Sequence, residues 1–197
     1  MRLRSLSLCL LLALLVAWSA DAANDLLWVD GTDVRFGDAT QVPTPDVQIT
    51  LGSSAGAAGL PAGQGRISNV RDWGATQRPA RFRYQCQFGV LAGTEAGKEI
   101  ELYAARSYDG TLMDGISGLI DAALTGAEDR YNLMPIGLVR IDTGSANGAV
   151  VGSGLTPDIP WRYWSLVVWN ATAQAVSLLA NRPSYCIFTP MYLRVVP

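Results

Sequence analysis

The sequence contains no histidine and a single lysine, Lys98, among its 197 residues. Without histidine the chain cannot use Ser-His-Asp or Cys-His catalysis, a histidine-ligated zinc ion or an imidazole acid–base group. The serine, carboxylate and tyrosine side chains that remain fall in no recognisable catalytic motif. We therefore expect a protein that is not an enzyme and that uses no cofactor and no metal ion.

Charged residues are also sparse, at 16% of the sequence, and the formal net charge is -2. This balance gives no basic surface for nucleic acid, so we expect no nucleic-acid partner. Glycine and proline, with 20 and 10 residues, interrupt the chain often. Such a composition is typical of many short strands joined by turns.

Residues 1–22 have the layout of a secretory signal peptide. A basic start with Arg2 and Arg4 precedes an apolar run over residues 6–18, and small residues lead up to Ala22. The apolar run is shorter than the about 20 residues that a membrane span needs. Cleavage after Ala22 is therefore the favoured prediction. The alternatives are an uncleaved apolar anchor, which would be the expected route to a membrane, and an ordinary buried helix.

Two cysteines lie beyond that segment, Cys86 and Cys186. An even pair of cysteines in an exported protein is typical of a disulfide bond. Both residues lie in strand-like segments that could be neighbours, so a disulfide bond is the favoured prediction. Two separate buried cysteines, acting as small apolar side chains, are the alternative.

The remaining chain divides into an N-terminal part, residues 23–65, and a main domain, residues 66–197. The N-terminal part begins as an arm or hairpin in which Asp30-Gly31 is a turn signal, and it ends in a flexible loop rich in glycine and alanine. In the main domain, residues 81–91 give the clearest strand signal. Apolar side chains alternate there with Arg81, Arg83 and two glutamines, so one face packs on a core and the other is wet or at an interface.

Residues 159–170 contain three of the six tryptophans, and apolar side chains occupy both alternating faces of the stretch. This pattern predicts a central strand that is covered on both sides, as in a sandwich. The core-strand residues are Trp161, Tyr163, Trp164 and Trp169.

About seven or eight strands with no sustained helical period predict an all-β fold, an antiparallel two-sheet β-sandwich of the jelly-roll type. Residues 107–132 form an irregular excursion with room for a short helix over residues 118–124, which Gly126 would end. In a jelly roll the second and the final strand are neighbours in one sheet. That arrangement would bring Cys86 and Cys186 together.

Three stretches of the main domain resemble the small jelly-roll structural proteins of tailed bacteriophages. They lie at residues 162–172 together with 188–192, at residues 101–105, and at residues 134–139. The first contains Arg162-Tyr163 followed by Leu166-Val167-Val168 and Asn170, the second Glu101-Leu102-Tyr103-Ala104, and the third Met134-Pro135-Ile136-Gly137. The resemblance covers about residues 66–197.

This resemblance implies a non-catalytic virion protein that decorates the capsid or belongs to the tail or fibre. It would assemble with other virion proteins and with copies of itself, as a trimer by analogy with viral jelly rolls. The expected interface residues are Arg81, Arg83 and Trp28 of the arm.

A second hypothesis is a secreted, periplasmic or cell-surface binding module, with carbohydrate as one possible ligand. Its stacking platform would come from tryptophans, whose flat rings bind sugars. The candidates are Trp28, Trp73, Trp161 and Trp164, for which a place in the core is the simpler interpretation.

Overall fold

The computed structural model describes residues 25–51, 60–90, 98–110, 121–141, 149–173, 175–177 and 183–196. In these ranges thirteen strands form two sheets, and nearly all strand pairs are antiparallel. The predicted all-β, two-sheet sandwich is therefore confirmed. The predicted signal peptide and most of the glycine- and alanine-rich loop lie outside the described residues. No helix within the described ranges is long and apolar enough to cross a membrane.

The first sheet has seven strands in the order β10-β6-β13-β2-β3, with β1 added to β13 and β12 added to β6. They are β1 (Asp25–Asp30), β2 (Val34–Gly37), β3 (Val47–Gln48), β6 (Arg81–Val90), β10 (Ala149–Leu155), β12 (Val176–Ser177) and β13 (Tyr185–Val196).

The second sheet has six strands in the order β8-β4-β11-β7-β9, with β5 added to β11. They are β4 (Gly65–Ile67), β5 (Arg71–Asp72), β7 (Glu99–Ser107), β8 (Ala122–Leu124), β9 (Met134–Arg140) and β11 (Tyr163–Asn170).

Strand β11 is the central strand that its sequence predicts. Trp164, Leu166 and Val168 enter the core between the sheets, whereas Val167 and Trp169 belong to a second apolar cluster. Trp161 precedes the strand and Tyr163 is its first residue, and both side chains are only partly buried. Of the four predicted core-strand residues, Trp164 and Trp169 therefore lie in the interior. Trp161 and Tyr163 lie at the start of β11 and are partly exposed.

Aromatic side chains from both sheets fill the main core. The rings of Trp73 and Trp164 stack with their centres 5.0 Å apart, and Phe82 contacts Trp73 edge-on at 4.5 Å. Phe36 and Phe188 pack against the same group at 5.4 to 6.3 Å. Large rings span the roughly 10 Å between two facing sheets, so a few of them hold the layers together.

Strand β6 has the predicted alternation. Phe82, Tyr84, Cys86 and Phe88 are buried, and Arg83 and Gln85 between them are exposed. Cys86 lies directly opposite Cys186 of β13, with the Cα atoms 4.0 Å apart, and the two form a disulfide bond. Both cysteines are fully buried. The predicted bond between adjacent antiparallel strands is therefore present.

The N-terminal arm is extended and is not a hairpin. Strands β1 and β2 do not pair with each other, because each pairs with a different part of β13. Between them the N–H of Gly31 donates to the Pro190 carbonyl at 2.7 Å. A Cβ atom at Gly31 would lie 2.6 Å from the Tyr192 ring, so this close approach requires glycine.

The excursion before β9 differs from its prediction. Residues 122–124 form strand β8 and not a helix. A short 3-10 helix, Ala127–Arg130, begins after Gly126, which was predicted to end a helix. Strand β8 pairs with β4, and this places Leu124 in the second apolar cluster beside Trp169. Pairing to a sheet edge therefore overrides the local helix preference of these residues. Residues 111–120 lie outside the described part of the chain.

Candidate functional site

The structure brings the three predicted interface residues together on the outer face of the first sheet. The Arg81 guanidinium lies 5.7 Å from the centre of the Trp28 ring, and Arg83 pairs with Asp30. Trp28 is 45% exposed, and Leu193, directly opposite it on β13, is 49% exposed. We refer to Trp28, Asp30, Arg81, Arg83 and Leu193 as the Trp28 surface.

The Trp28 surface adjoins an open sheet edge. Within the described residues β1 pairs only with β13, so its second side has no neighbouring strand. Such an edge presents unpaired backbone N–H and C=O groups that another chain can use. Tryptophan and arginine are also the residue types enriched at the centre of protein interfaces. The arrangement therefore fits a protein-binding surface better than a catalytic one.

A polar groove of about 410 Å³ lies beside this surface. The Thr189 hydroxyl donates to the Asp33 carboxylate at 2.5 Å, and Arg83, Gln85 and Ser153 line the same groove. The groove therefore extends the Trp28 surface with polar side chains.

A second concavity of about 380 Å³ lies where β7 ends and β11 begins. Cross-strand pairing places Tyr163 opposite Ser107 and Trp164 opposite Arg106, which brings the two flanking segments side by side. We call this concavity the end pocket. The residues that line it are Arg78, Arg106, Ser107, Tyr108, Pro160, Trp161, Arg162 and Tyr163.

Arginines and aromatic rings pair within the end pocket. The Arg106 guanidinium lies 3.7 Å from the centre of the Tyr108 ring and 5.9 Å from that of Trp161. Arg162 lies 4.6 Å from the centre of the Tyr163 ring. It also donates two hydrogen bonds to Asp72, at 2.9 and 2.7 Å. These bonds, followed by one from the Gly74 N–H, lower the pKa of Asp72 to about 2.

The four candidate tryptophans do not form one stacking platform. Trp73 and Trp164 are 6% and 0% exposed and stack on each other in the core. Trp28 lies beside Arg81, and Trp161 lines the end pocket. Trp73 and Trp164 therefore have the core position that was the simpler interpretation, and they cannot contribute to a stacking platform.

Two further polar groups stabilise the second sheet. Buried Asp121 accepts hydrogen bonds from Arg66 and from the Thr50 hydroxyl and N–H. Burial acts to raise the pKa of Asp121, but these donors outweigh it, and the pKa lies below its ordinary value. The role of Asp121 is structural, because each of these donors belongs to another segment of the fold.

On the outer face of the same sheet, Glu101 accepts from the Tyr103 hydroxyl and from Arg130, each at 2.7 Å. Partial burial, and then the hydrogen bond to Glu101, raise the pKa of Tyr103. The Arg130 guanidinium also covers the Trp169 ring at 4.5 Å. Arg130, held by Glu101, therefore covers the second apolar cluster at Trp169.

Sequence reasoning missed the end pocket. Its signal was present as two aromatic–arginine stretches, Arg106-Ser107-Tyr108 and Trp161-Arg162-Tyr163, but their proximity depends on strand pairing. In the part of the chain that the structure describes, no three acidic, cysteine or histidine side chains are grouped so as to hold a metal ion. No protein-family model matches the chain, and no curated protein is recognisably similar to it.

Proposed function

We propose that the chain is a non-catalytic structural protein of a bacteriophage virion, in the capsid decoration, the tail or the fibre. One observation carries the proposal. Most of the residues that resemble phage proteins, at 101–105, 134–139 and 162–172, fall on or beside three neighbouring strands of one sheet, β7, β9 and β11, and residues 188–192 lie on β13 of the other sheet. Leu102 of β7 pairs with Gly137 on one side and with Val168 on the other. The resemblance is therefore concentrated on one sheet of the sandwich.

The strand order supports the jelly-roll form of the sandwich. Eight strands form two four-stranded groups, β10-β6-β13-β2 and β9-β7-β11-β4. The final strand, β13, lies between the early strands β2 and β6. Two four-stranded antiparallel sheets with long crossovers are the jelly-roll pattern.

The Trp28 surface is the contact through which copies of the chain would assemble. An open edge and an exposed tryptophan are both stabilised when a second chain covers them. Closed rotational symmetry is the usual result of such self-association, and we propose a trimer. The arginines would orient the partner, since rim charges set specificity more than affinity.

Mass spectrometry of purified virions and light scattering on the purified protein test the proposal. We expect the chain among the virion proteins and a trimer in solution. Trp28→Glu should shift the trimer toward monomer, because it places a carboxylate in the apolar contact. The matched control is Tyr131→Glu, at a ring that is 82% exposed outside this surface. A strict monomer at high micromolar concentration that binds no virion protein would contradict the proposal.

A secreted or periplasmic binding module is the second candidate, and the Cys86–Cys186 disulfide bond favours it. Disulfide bonds persist in oxidising compartments and are rare in the cytoplasm. The two candidates differ in where the protein accumulates. Recovery from the periplasm or medium of uninfected cells, with none in virions, would favour the binding module.

A further inference from the structure

Cyclic symmetry places a condition on the proposed trimer. Every contact in a closed ring of three copies is head-to-tail, so each copy must contribute two different surfaces that fit each other. The Trp28 surface is one of the two. The identity of the second surface rests on the self-assembly proposed above, and the strands at the ends of the two sheets point to it.

Three of these end strands are protected against pairing with another chain. β3 and β8 contain only two and three residues. β9 contains Pro135, which has no N–H group to donate, and the backbone of Leu138 on β9 already bonds to the Tyr84 hydroxyl. Short length, proline and a covered backbone all reduce the pairing of an edge with another strand.

β10 has none of these protections. It lies at one end of the first sheet, and among the described residues it pairs only with β6. Its seven residues, Ala149–Leu155, include no charged residue and no proline. Val151 and Leu155 are 56% and 49% exposed, and Leu155 lies opposite Arg83 of the outer face. A long, uncharged edge with exposed apolar side chains is the kind of edge that another strand covers.

β1 has the properties of the missing neighbour. It contains six residues, against seven in β10, and Leu27 and Trp28 are 50% and 45% exposed. β6 pairs with β13 only as far as Met191, so residues 192–196 of β13 pair with β1 alone in the described part of the chain. β1 and these residues form a two-stranded ribbon beyond the rest of the sheet. Such a ribbon is marginally stable by itself, and a strand from another copy would stabilise it.

Charge and symmetry both favour a contact between β1 and β10. Asp30 of β1 pairs with Arg83 of its own chain, and β10 brings no charged side chain against it. Pairing of β1 with β1 of another copy would give a two-fold dimer and would leave the β10 edge uncovered. A head-to-tail contact covers both edges in every copy.

We propose that β1 of one copy adds to the open edge of β10 in the next copy, so that their first sheets become continuous. Trp28 and Val151 both lie on the outer face of this sheet, and the contact brings them together with Leu155. When a strand is added to a sheet edge, backbone hydrogen bonds provide affinity and the side chains provide specificity.

Cysteine cross-linking on the full-length protein tests the contact. Leu27→Cys and Val151→Cys proteins, both carrying Cys9→Ala, are co-expressed so that mixed oligomers form, and are treated with a short bismaleimide. Cys86 and Cys186 do not react, because they form a buried disulfide bond. We expect a cross-link between positions 27 and 151 of different copies, identified by peptide mass spectrometry.

The matched control for cross-linking replaces Val151→Cys by Tyr131→Cys, at a side chain that is 82% exposed outside both edges. This pair should form no such product. A cross-link between two copies of position 27 as the main product would overturn the proposal, because it indicates a two-fold contact. Absence of the 27–151 product would also overturn it.

A charge on the β10 edge tests the same contact in solution. Val151→Lys should weaken association at least about tenfold, because lysine on an edge strand opposes pairing. Leu138→Lys is the matched control, since Leu138 is 47% exposed on the protected edge β9, and it should associate as the unchanged protein does. Light scattering measures both, and circular dichroism spectra check that each variant is folded.

The outcomes separate this contact from the role in virions. Unchanged association of Val151→Lys, or a trimer without the 27–151 cross-link, would overturn the β1–β10 contact and leave the proposed virion role intact. A strict monomer that is absent from virions would overturn both.

Discussion

The hydroxyl of Tyr84 bonds to both backbone groups of Leu138, whose N–H donates to it and whose carbonyl accepts from it, each at 3.3 Å. Tyr84 belongs to the first sheet, and Leu138 lies on β9 at the edge of the second. A phenol can donate and accept at once, so the Tyr84 hydroxyl satisfies backbone groups on the side of β9 where the described residues contain no pairing strand. Gly137 and Gly154 make room, since a Cβ atom at either would lie 2.6 Å from the tyrosine.

We expect Tyr84→Phe to lower the free energy of unfolding by about 1 kcal/mol, because the edge backbone of Leu138 loses its partner. Urea denaturation measures this change, and hydrogen exchange at the Leu138 amide should become faster. Tyr131→Phe, at a ring that is 82% exposed, is the control and should have no effect. Unchanged exchange at Leu138 would show that the phenol does not protect the edge.

Gly154→Ala should destabilise the sandwich by about 1–3 kcal/mol, because the added methyl group overlaps the Tyr84 ring. Its neighbour Ser153 points outward and is exposed, so Ser153→Ala is the matched control with a change within about 0.5 kcal/mol. Urea denaturation again measures both. Equal stability of the two variants would mean that the close contact is absent in solution.

Trp164→Ala and Trp169→Ala should each lower the free energy of unfolding by about 3–5 kcal/mol. Each substitution leaves a cavity where the ring was, and the two rings are 0% and 2% exposed. This is a large part of the roughly 5–15 kcal/mol that stabilises a domain. Trp161→Ala should cost less, because that ring is partly exposed before β11. Thermal unfolding compares the three variants. A near-native melting temperature for Trp164→Ala would be incompatible with an aromatic core.

Loss of the disulfide bond in the double variant Cys86→Ala, Cys186→Ala should cost about 2–5 kcal/mol, because the bond closes a loop of 100 residues in the unfolded chain. In the native protein both cysteines are fully buried, so reductant and an alkylating reagent should label neither. The same treatment in denaturant is the control and should label both. Rapid labelling of the native protein would contradict the buried bond.

Acid should weaken the fold through Asp121. Its pKa is below the unfolded value of about 3.9, so its contribution is complete above that value and is lost as pH falls through the lower folded pKa. Asp121→Asn should lower the free energy of unfolding by about 1–3 kcal/mol at pH 6. Below pH 4, the free energy of unfolding of this variant should depend less on pH than that of the unchanged protein. Asp158→Asn is the control, since the Asp158 side chain is 65% exposed. Unfolding at pH 6, 4 and 3 measures the difference, and parallel profiles for Asp121→Asn and the unchanged protein would refute this role.

Local patterns predicted the strands that carry clear alternation. Strand β6 and its two faces, the double-sided burial of β11 and the cysteine pair could all be deduced, because period-two alternation needs only neighbouring residues. Strand β8 could not, since Ala122, Ala123 and Leu124 lack β-branched side chains and become a strand only by pairing with β4. The start of β11 was predicted too early, because Trp161 precedes the strand and Tyr163 is its first, partly buried residue, and alternation does not show where a strand begins.

The sequence by itself determined that the protein is built of strands with one aromatic-rich interior, and its lack of histidine excluded imidazole chemistry. These properties belong to residue types and short-range periodicity. Only the tertiary structure decided that Arg106 and Tyr108 meet Trp161 and Arg162 in one pocket, and that Tyr84 closes the edge at Leu138. Each of these contacts joins segments more than 50 residues apart. Their proximity follows from strand register and sheet order, which short-range alternation does not specify.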